Sequence, residues 1–86
     1  MSKADEMFKK LDYKKYEDKD ICKYIYDEAG LKIVIQFNLK YATITISMYD
    51  QDEKRHYPPE LTMDEFNAIS QKVNELSRIN NKWKEK

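Results

Sequence analysis

Glycine occurs once in these 86 residues, as Gly30, and proline twice, as Pro58 and Pro59. One glycine excludes a glycine-rich phosphate cradle, which needs several positions where backbone amides can close on an anion. Cysteine and histidine are also single, as Cys22 and His56. That excludes a zinc site built from Cys and His ligands, and no disulfide can form within the chain. A small domain without disulfides fits a reducing compartment, so the expected location is cytoplasmic. No apolar run approaches the roughly 20 residues needed to cross a bilayer. Residues 1–6 carry acids and no apolar core, so they do not read as a signal peptide, and no membrane partner is expected.

Net charge is missing as well. Sixteen Lys and Arg balance sixteen Asp and Glu, and the two signs are interspersed rather than gathered into an arm or tail. A nucleic-acid binder normally shows a basic footprint, so this balance argues against nucleic acid as the partner. The acidic footprint of a DNA mimic is absent too.

What is present suffices for one small core, and residues 1–86 read as a single domain. Ser2 and Asp5 make a weak capping pair before an apolar stripe of Ala4, Met7, Phe8 and Leu11, which predicts a short helix docked on something else. Residues 13–20 are polar and read as an extended lead-in or a short edge strand. Residues 21–27, rich in Tyr and Ile, predict a strand whose inward face the alternation leaves open: either Ile21 and Ile25, or Cys22, Tyr24 and Tyr26. Asp27-Glu28-Ala29-Gly30 reads as a hairpin loop closed by the glycine. Leu31, Ile33, Ile35, Phe37 and Leu39 then alternate with polar or smaller residues. Beyond a turn near Lys40, of two or four residues, Ala42, Ile44, Ile46 and Met48 alternate in phase with them, predicting a hairpin with one buried face.

Residues 50–55 read as a charged loop and residues 56–59 as extended, because each proline disfavours helix in the residue before it. Thr62 and Glu65 form a capping box, with Leu61 and Phe66 placed as a hydrophobic staple. Phe66, Ile69, Val73 and Leu76 continue as a core stripe that Ile79 and Trp83 roughly extend, although Asn80-Asn81 weakens the helix there. The predicted fold is therefore α+β, in the order α-β-β-β-α. A small antiparallel sheet of three strands, or four if the lead-in pairs, is covered on one face by a short N-terminal and a long C-terminal helix. A helix running to Trp83 would overhang the sheet.

The candidate chemistry is sparse. His56 lacks an adjacent nucleophile or carboxylate in the pattern, and Cys22 on a Tyr-rich strand reads as a small buried apolar residue. Asp50, Asp52, Glu53 and His56 share a loop, but a calcium loop needs Gly at its sixth place and Glu at its twelfth. Those places hold Arg55 and Leu61. No catalytic residue, metal or cofactor is expected, and the chain does not read as an enzyme. The candidate partner contacts lie elsewhere. Gln36, Asn38, Thr43, Thr45 and Ser47 make the wet face of the hairpin polar but uncharged in a chain that is 37% charged. Charged residues are depleted at interface centres, so this face suits a protein partner, although threonine also simply favours strands. Trp83 is either an interface anchor on the overhang or a late addition to the core. The seven tyrosines leave a second reading, in which sheet tyrosines and lysines hold nucleic acid.

Residues 4–17, Ala-Asp-Glu-Met-Phe-Lys-Lys-Leu-Asp-Tyr-Lys-Lys-Tyr-Glu, and residues 61–69, Leu-Thr-Met-Asp-Glu-Phe-Asn-Ala-Ile, resemble the two ends of small uncharacterised proteins from phages and prophages of Gram-positive bacteria. Asp12 stands where those proteins usually have glycine. The resemblance implies a setting, the host bacterial cytoplasm, and no chemistry. Together these readings predict a non-enzymatic accessory protein that works by binding an unidentified protein, with homodimerisation open.

Overall fold

The structure, a computed structural model, describes residues 2–84. Helix α1 spans Lys3–Lys10, and five strands follow: β1 Lys14–Glu17, β2 Ile21–Glu28, β3 Leu31–Asn38, β4 Thr43–Asp50 and β5 Arg55–Tyr57. Helix α2 spans Met63–Ile79, and a 3-10 turn covers Asn81–Trp83. The strands form one antiparallel sheet in sequential order, a simple meander. The α+β class stands, and the sheet is wider than the three or four strands predicted. The lead-in is β1, and the segment around His56, expected as mere extended chain, is β5. Three residues are too few to show a period of two, which is why β5 could not be recognised from pattern.

Register settles the face of β2. Cys22 lies opposite Phe37, Tyr24 opposite Ile35 and Tyr26 opposite Ile33, so the tyrosines face inward and Ile21 and Ile25 face outward. The reason lies in α1, whose Phe8 ring stacks on Tyr24 with centroids 3.9 Å apart and sits edge-on to Tyr13 at 5.6 Å. Tyr24, Phe8, Phe37, Ile35 and Cys22 are the largest fully buried side chains. Phe37 pairs with Ile44 and Ile35 with Ile46, as the shared alternation predicted.

A chain with one glycine still needs left-handed turn residues. The β2–β3 turn is Ala29-Gly30, with φ of 53° and 79°; two positive values define the hairpin turn that matches strand twist. Asp27 and Glu28, expected in that loop, belong to β2. A Cβ on Gly30 would meet only the carboxylate of the exposed Asp52, which can swing aside, so it is the positive φ that favours glycine there. The β3–β4 and β4–β5 loops each hold four residues and share one device. Asn38 accepts from the amides of Lys40 and Tyr41, Asp50 from those of Asp52 and Glu53, and each loop ends in a positive-φ residue, Ala42 or Lys54. Asp12 also has a positive φ, 67°, so the turn after α1 keeps the backbone that a glycine there would adopt.

Both helices lie on the inner face. The Thr62 capping box is complete, and Glu65 is itself buried, its second oxygen accepting from the Tyr13 hydroxyl. This bond rotates α2 from the predicted stripe. Glu65, Ala68, Ile69, Lys72 and Leu76 are buried, whereas Phe66 is 53% and Ile79 81% exposed. Two charged residues inside and two large apolar ones outside is an arrangement that hydrophobic periodicity alone does not foresee. The helix does not overhang the sheet. It stops at Asn80, whose side chain caps the 3-10 turn by accepting from Lys82 N, and the chain folds back so that Trp83 packs against Phe37 with centroids 6.1 Å apart.

Candidate functional site

The inner face holds the densest set of polar and titratable groups, around α1, β1 and β2. Asp5 accepts from the Tyr24 hydroxyl at 2.6 Å and from Lys15 Nζ at 2.9 Å. Burial alone would raise its pKa, but these two bonds, with the positive charges of Lys15 and Lys72, outweigh burial and hold the carboxyl below its ordinary value. Burial, then the bond to Asp5, pushes the Tyr24 phenol well above the ordinary tyrosine range; burial, then Glu65, does the same for Tyr13. The Cys22 thiol is wholly buried and raised by that burial, which the nearby Lys72 only partly opposes. A raised, inaccessible thiol is a packing group rather than a nucleophile. Lys72 runs over the Tyr24 ring, with Nζ 5.8 Å from its centroid, and Glu75 ties the helices together by accepting from Ala4 N at 2.9 Å. Every oxygen of the Asp5 and Glu65 carboxylates is engaged in the fold. The cluster locks α1 onto α2 and the sheet.

Among the described residues, no group of three or more His, Cys, Asp and Glu side chains is disposed to hold a metal ion. His56 lies on β5 opposite Tyr49, ring centroids 4.8 Å apart, and its chemistry is that of a strand-pair contact. The Asp50 carboxylate is occupied by its own turn. Among the described residues no helix is long and apolar enough to cross a membrane.

The outer face offers a different surface. Both helices pack inside, so this side of the sheet has no covering layer among the described residues. Register brings the predicted contacts together: Gln36 lies opposite Thr45, Asn38 opposite Thr43, and Ser47 opposite Val34. Thr43 and Thr45 are exposed and Gln36, Asn38 and Ser47 half-exposed. Trp83, the sixth candidate, is on the other side of the sheet and buried. As a surface contact it is corrected: the 3-10 turn at Asn81 carries its ring onto Phe37 in the core. Its Nε1 has no hydrogen-bond partner among the described residues.

The same face carries residues that sequence reasoning did not place on it. Lys14, Ile25, Val34 and Ser47 form one row across four strands, and Tyr16, Lys23, Gln36 and Thr45 the next. Asp27, Lys32, Tyr49 and His56 form a third. Counting by twos from Gln36 finds Val34 and Lys32; Ile25 and Lys23 were hidden because the face of β2 was undecided. Lys32, Val34, Ser47, Tyr49 and His56 line a shallow recess of about 340 Å³. The β3–β4 half of the face is neutral apart from Lys32, while Lys14 and Lys23 flank the β1–β2 half.

Set against known proteins, the chain matches no family model, no curated protein and no solved structure.

Proposed function

We propose that this protein is a non-enzymatic binding module that docks another protein on the outer face of its sheet, as an accessory protein of a phage or an integrated element. The observation that carries this reading is the bare face itself. Its centre is neutral and polar (Gln36, Asn38, Thr43, Thr45, Ser47), it has apolar floor at Ile25 and Val34, and charges stand toward its margins. Interfaces place few charges at their centre and more at the rim. The cytoplasm of a Gram-positive host is the setting the terminal resemblance suggests. The test is a pull-down from such a lysate with wild type and with Gln36→Arg in parallel. This side chain stands on the outer face of the central strand β3, so the variant should fold normally and lose a protein that wild type retains. Equal recovery of every captured protein by the two baits would sink the reading.

One observation favours a second reading. The outer face gathers Lys14, Lys23 and Lys32 with Tyr16, Tyr49 and His56, while the acids Asp12, Asp27 and Glu28 collect at one end of it beside Lys14 and Lys32. Rings that stack bases beside lysines that meet phosphates are the elements of a single-strand binder. Three phosphate contacts imply a slope of log affinity on log salt of about −2 for a single strand. Retention on single-stranded DNA with that slope, abolished in Tyr16→Ala/Tyr49→Ala, would replace the protein-docking reading with this one.

A further inference from the structure

The free edges of the sheet are finished differently. β1 bears Lys14, Lys15 and Glu17, and Lys15 is tied to Asp5 at 2.9 Å; charged side chains of this kind deter another strand from pairing. At the other edge β5 covers only Met48, Tyr49 and Asp50 of β4. Pro58 follows at once, and having no N–H it ends the ladder. Thr43, Ile44, Thr45, Ile46 and Ser47 are therefore paired on the β3 side alone. No bulge interrupts them, since the β3–β4 register runs unbroken from Asn38↔Thr43 to Leu31↔Asp50. Residues 41–49 carry no formal charge in a chain that is 37% charged. A flat, neutral, β-branched edge without proline is the pattern that recruits a strand.

We infer that this edge of β4 is the seam of a homodimer, in which a second copy pairs antiparallel along residues 43–47 and joins the two sheets into one. The occupant follows from self-complementarity. In the antiparallel registers centred on Ile44 or Thr45, which keep the two faces continuous, Ile44 and Ile46 meet Ile or Ala42, and Thr43 and Thr45 meet Thr or Ser47. Like meets like, without charge, and β-branched pairs are favourable cross-strand neighbours. The inner side of the seam is also unfinished. Ile44 is 38% exposed although it faces inward opposite Phe37. Five residue pairs span only about 17 Å, and a contact that short buries less than the roughly 800 Å² per partner of a standard interface. The dimer therefore belongs to the weak, concentration-dependent class. It stands apart from the reading of the outer face, because edge pairing covers neither face of the sheet and enlarges the outer one.

The experiment is sedimentation velocity on the intact protein from about 5 µM to about 1 mM, a range that brackets micromolar association. Amide exchange is followed at the two extremes. Wild type should move from 10.4 kDa toward twice that mass, with amides in residues 43–47 gaining protection as concentration rises. Ile44→Lys places an inward-pointing charge on the edge and should weaken association about tenfold or more; Thr45→Lys, on the opposite face, should do the same. Circular dichroism confirms that each variant is folded. A monomer across the whole series overturns the inference, even if the protein captures an extended peptide. So does a dimer indifferent to both substitutions, or one whose new protection lies outside residues 43–47.

Discussion

On the flank of the sheet formed by β1 and β2, Phe8 stacks on Tyr24, Tyr13 bonds Glu65, and Asp5 and Lys15 close the edge with an ion pair. On the flank formed by β4 and β5, Ile44, Ile46 and Met48 face the same interior, yet Ile46 and Met48 are only partly buried against the core and Ile44 is 38% exposed. Both flanks are inward-facing strand residues of one register, so strand pattern does not distinguish them. The difference comes from α1. It occupies one side of α2, pushes that helix over β2 and β3, and leaves β4 with half a cover. Burial in this protein is decided by where the second helix finds room, and the less buried flank is where a further layer has something to gain.

The widest separation between the flanks should appear in a pair of truncations. Phe8→Ala removes a fully buried ring and should cost about 3–5 kcal/mol of unfolding free energy, much of what a domain this small possesses. Ile44→Ala, on a residue 38% exposed, should cost about 1 kcal/mol or less in dilute protein. Urea denaturation of the two variants measures the contrast, and similar costs would abolish it.

A smaller effect, confined to the first flank, is read through pH. Tyr13→Phe should cost about 1.5–3 kcal/mol at neutral pH, the range for a hydrogen bond to a charged group. The folded state raises the Tyr13 and Tyr24 pKa values above the ordinary 10.0. Their contribution is therefore complete below pH 10 and is lost as pH rises further, when the unfolded phenols ionise and the folded ones cannot. Asp5 runs the other way. Its pKa is depressed below the ordinary 3.8, so its contribution is present above that value and lost as pH falls through the folded one. Stability curves against pH should thus lose part of their alkaline slope in each of Tyr13→Phe and Tyr24→Phe, and part of their acid slope in Asp5→Asn. Ile44→Ala should leave both slopes alone.

The smallest effect falls between the flanks. Ala29 holds a φ of 53° in the β2–β3 turn, a conformation that asparagine tolerates better than alanine. Ala29→Asn should raise stability by about 0.5–1 kcal/mol, visible as a higher denaturation midpoint, without changing the contrast between Phe8→Ala and Ile44→Ala.

Much of this architecture was legible in the residues. The alternation from Leu31 to Met48 specifies the central hairpin and its inner face, and Thr62 with Glu65 specifies where α2 begins. The rest depended on partners distant in sequence. Whether Ile25 or Tyr24 faces inward is undecidable along β2 itself, because the answer is Phe8, a helix away. The burial of Glu65 and Lys72 leaves no mark in the pattern of α2, because the groups that receive them, Tyr13 and the Tyr24 ring, lie far off in the chain. Asn80 was correctly a weak point in the helix, but its use as a cap that returns Trp83 to Phe37 needed the third dimension. The outer face is the intermediate case: its five neutral polar residues were found by counting twos, while Tyr16, Lys23, Ile25 and His56 joined them only through register.

The meander also bears on how the molecule assembles. Each strand pairs with its sequence neighbour, so the sheet can zip from the β3–β4 hairpin outward through short closures that cost little chain entropy. The bond from Ala4 to Glu75 is of another kind, joining residues 71 positions apart. Docking of α2 and the 3-10 turn, which also brings Glu65 to Tyr13 and Trp83 to Phe37, is thus the expensive closure and belongs late on the folding route. Weakening it should quicken unfolding far more than it slows refolding.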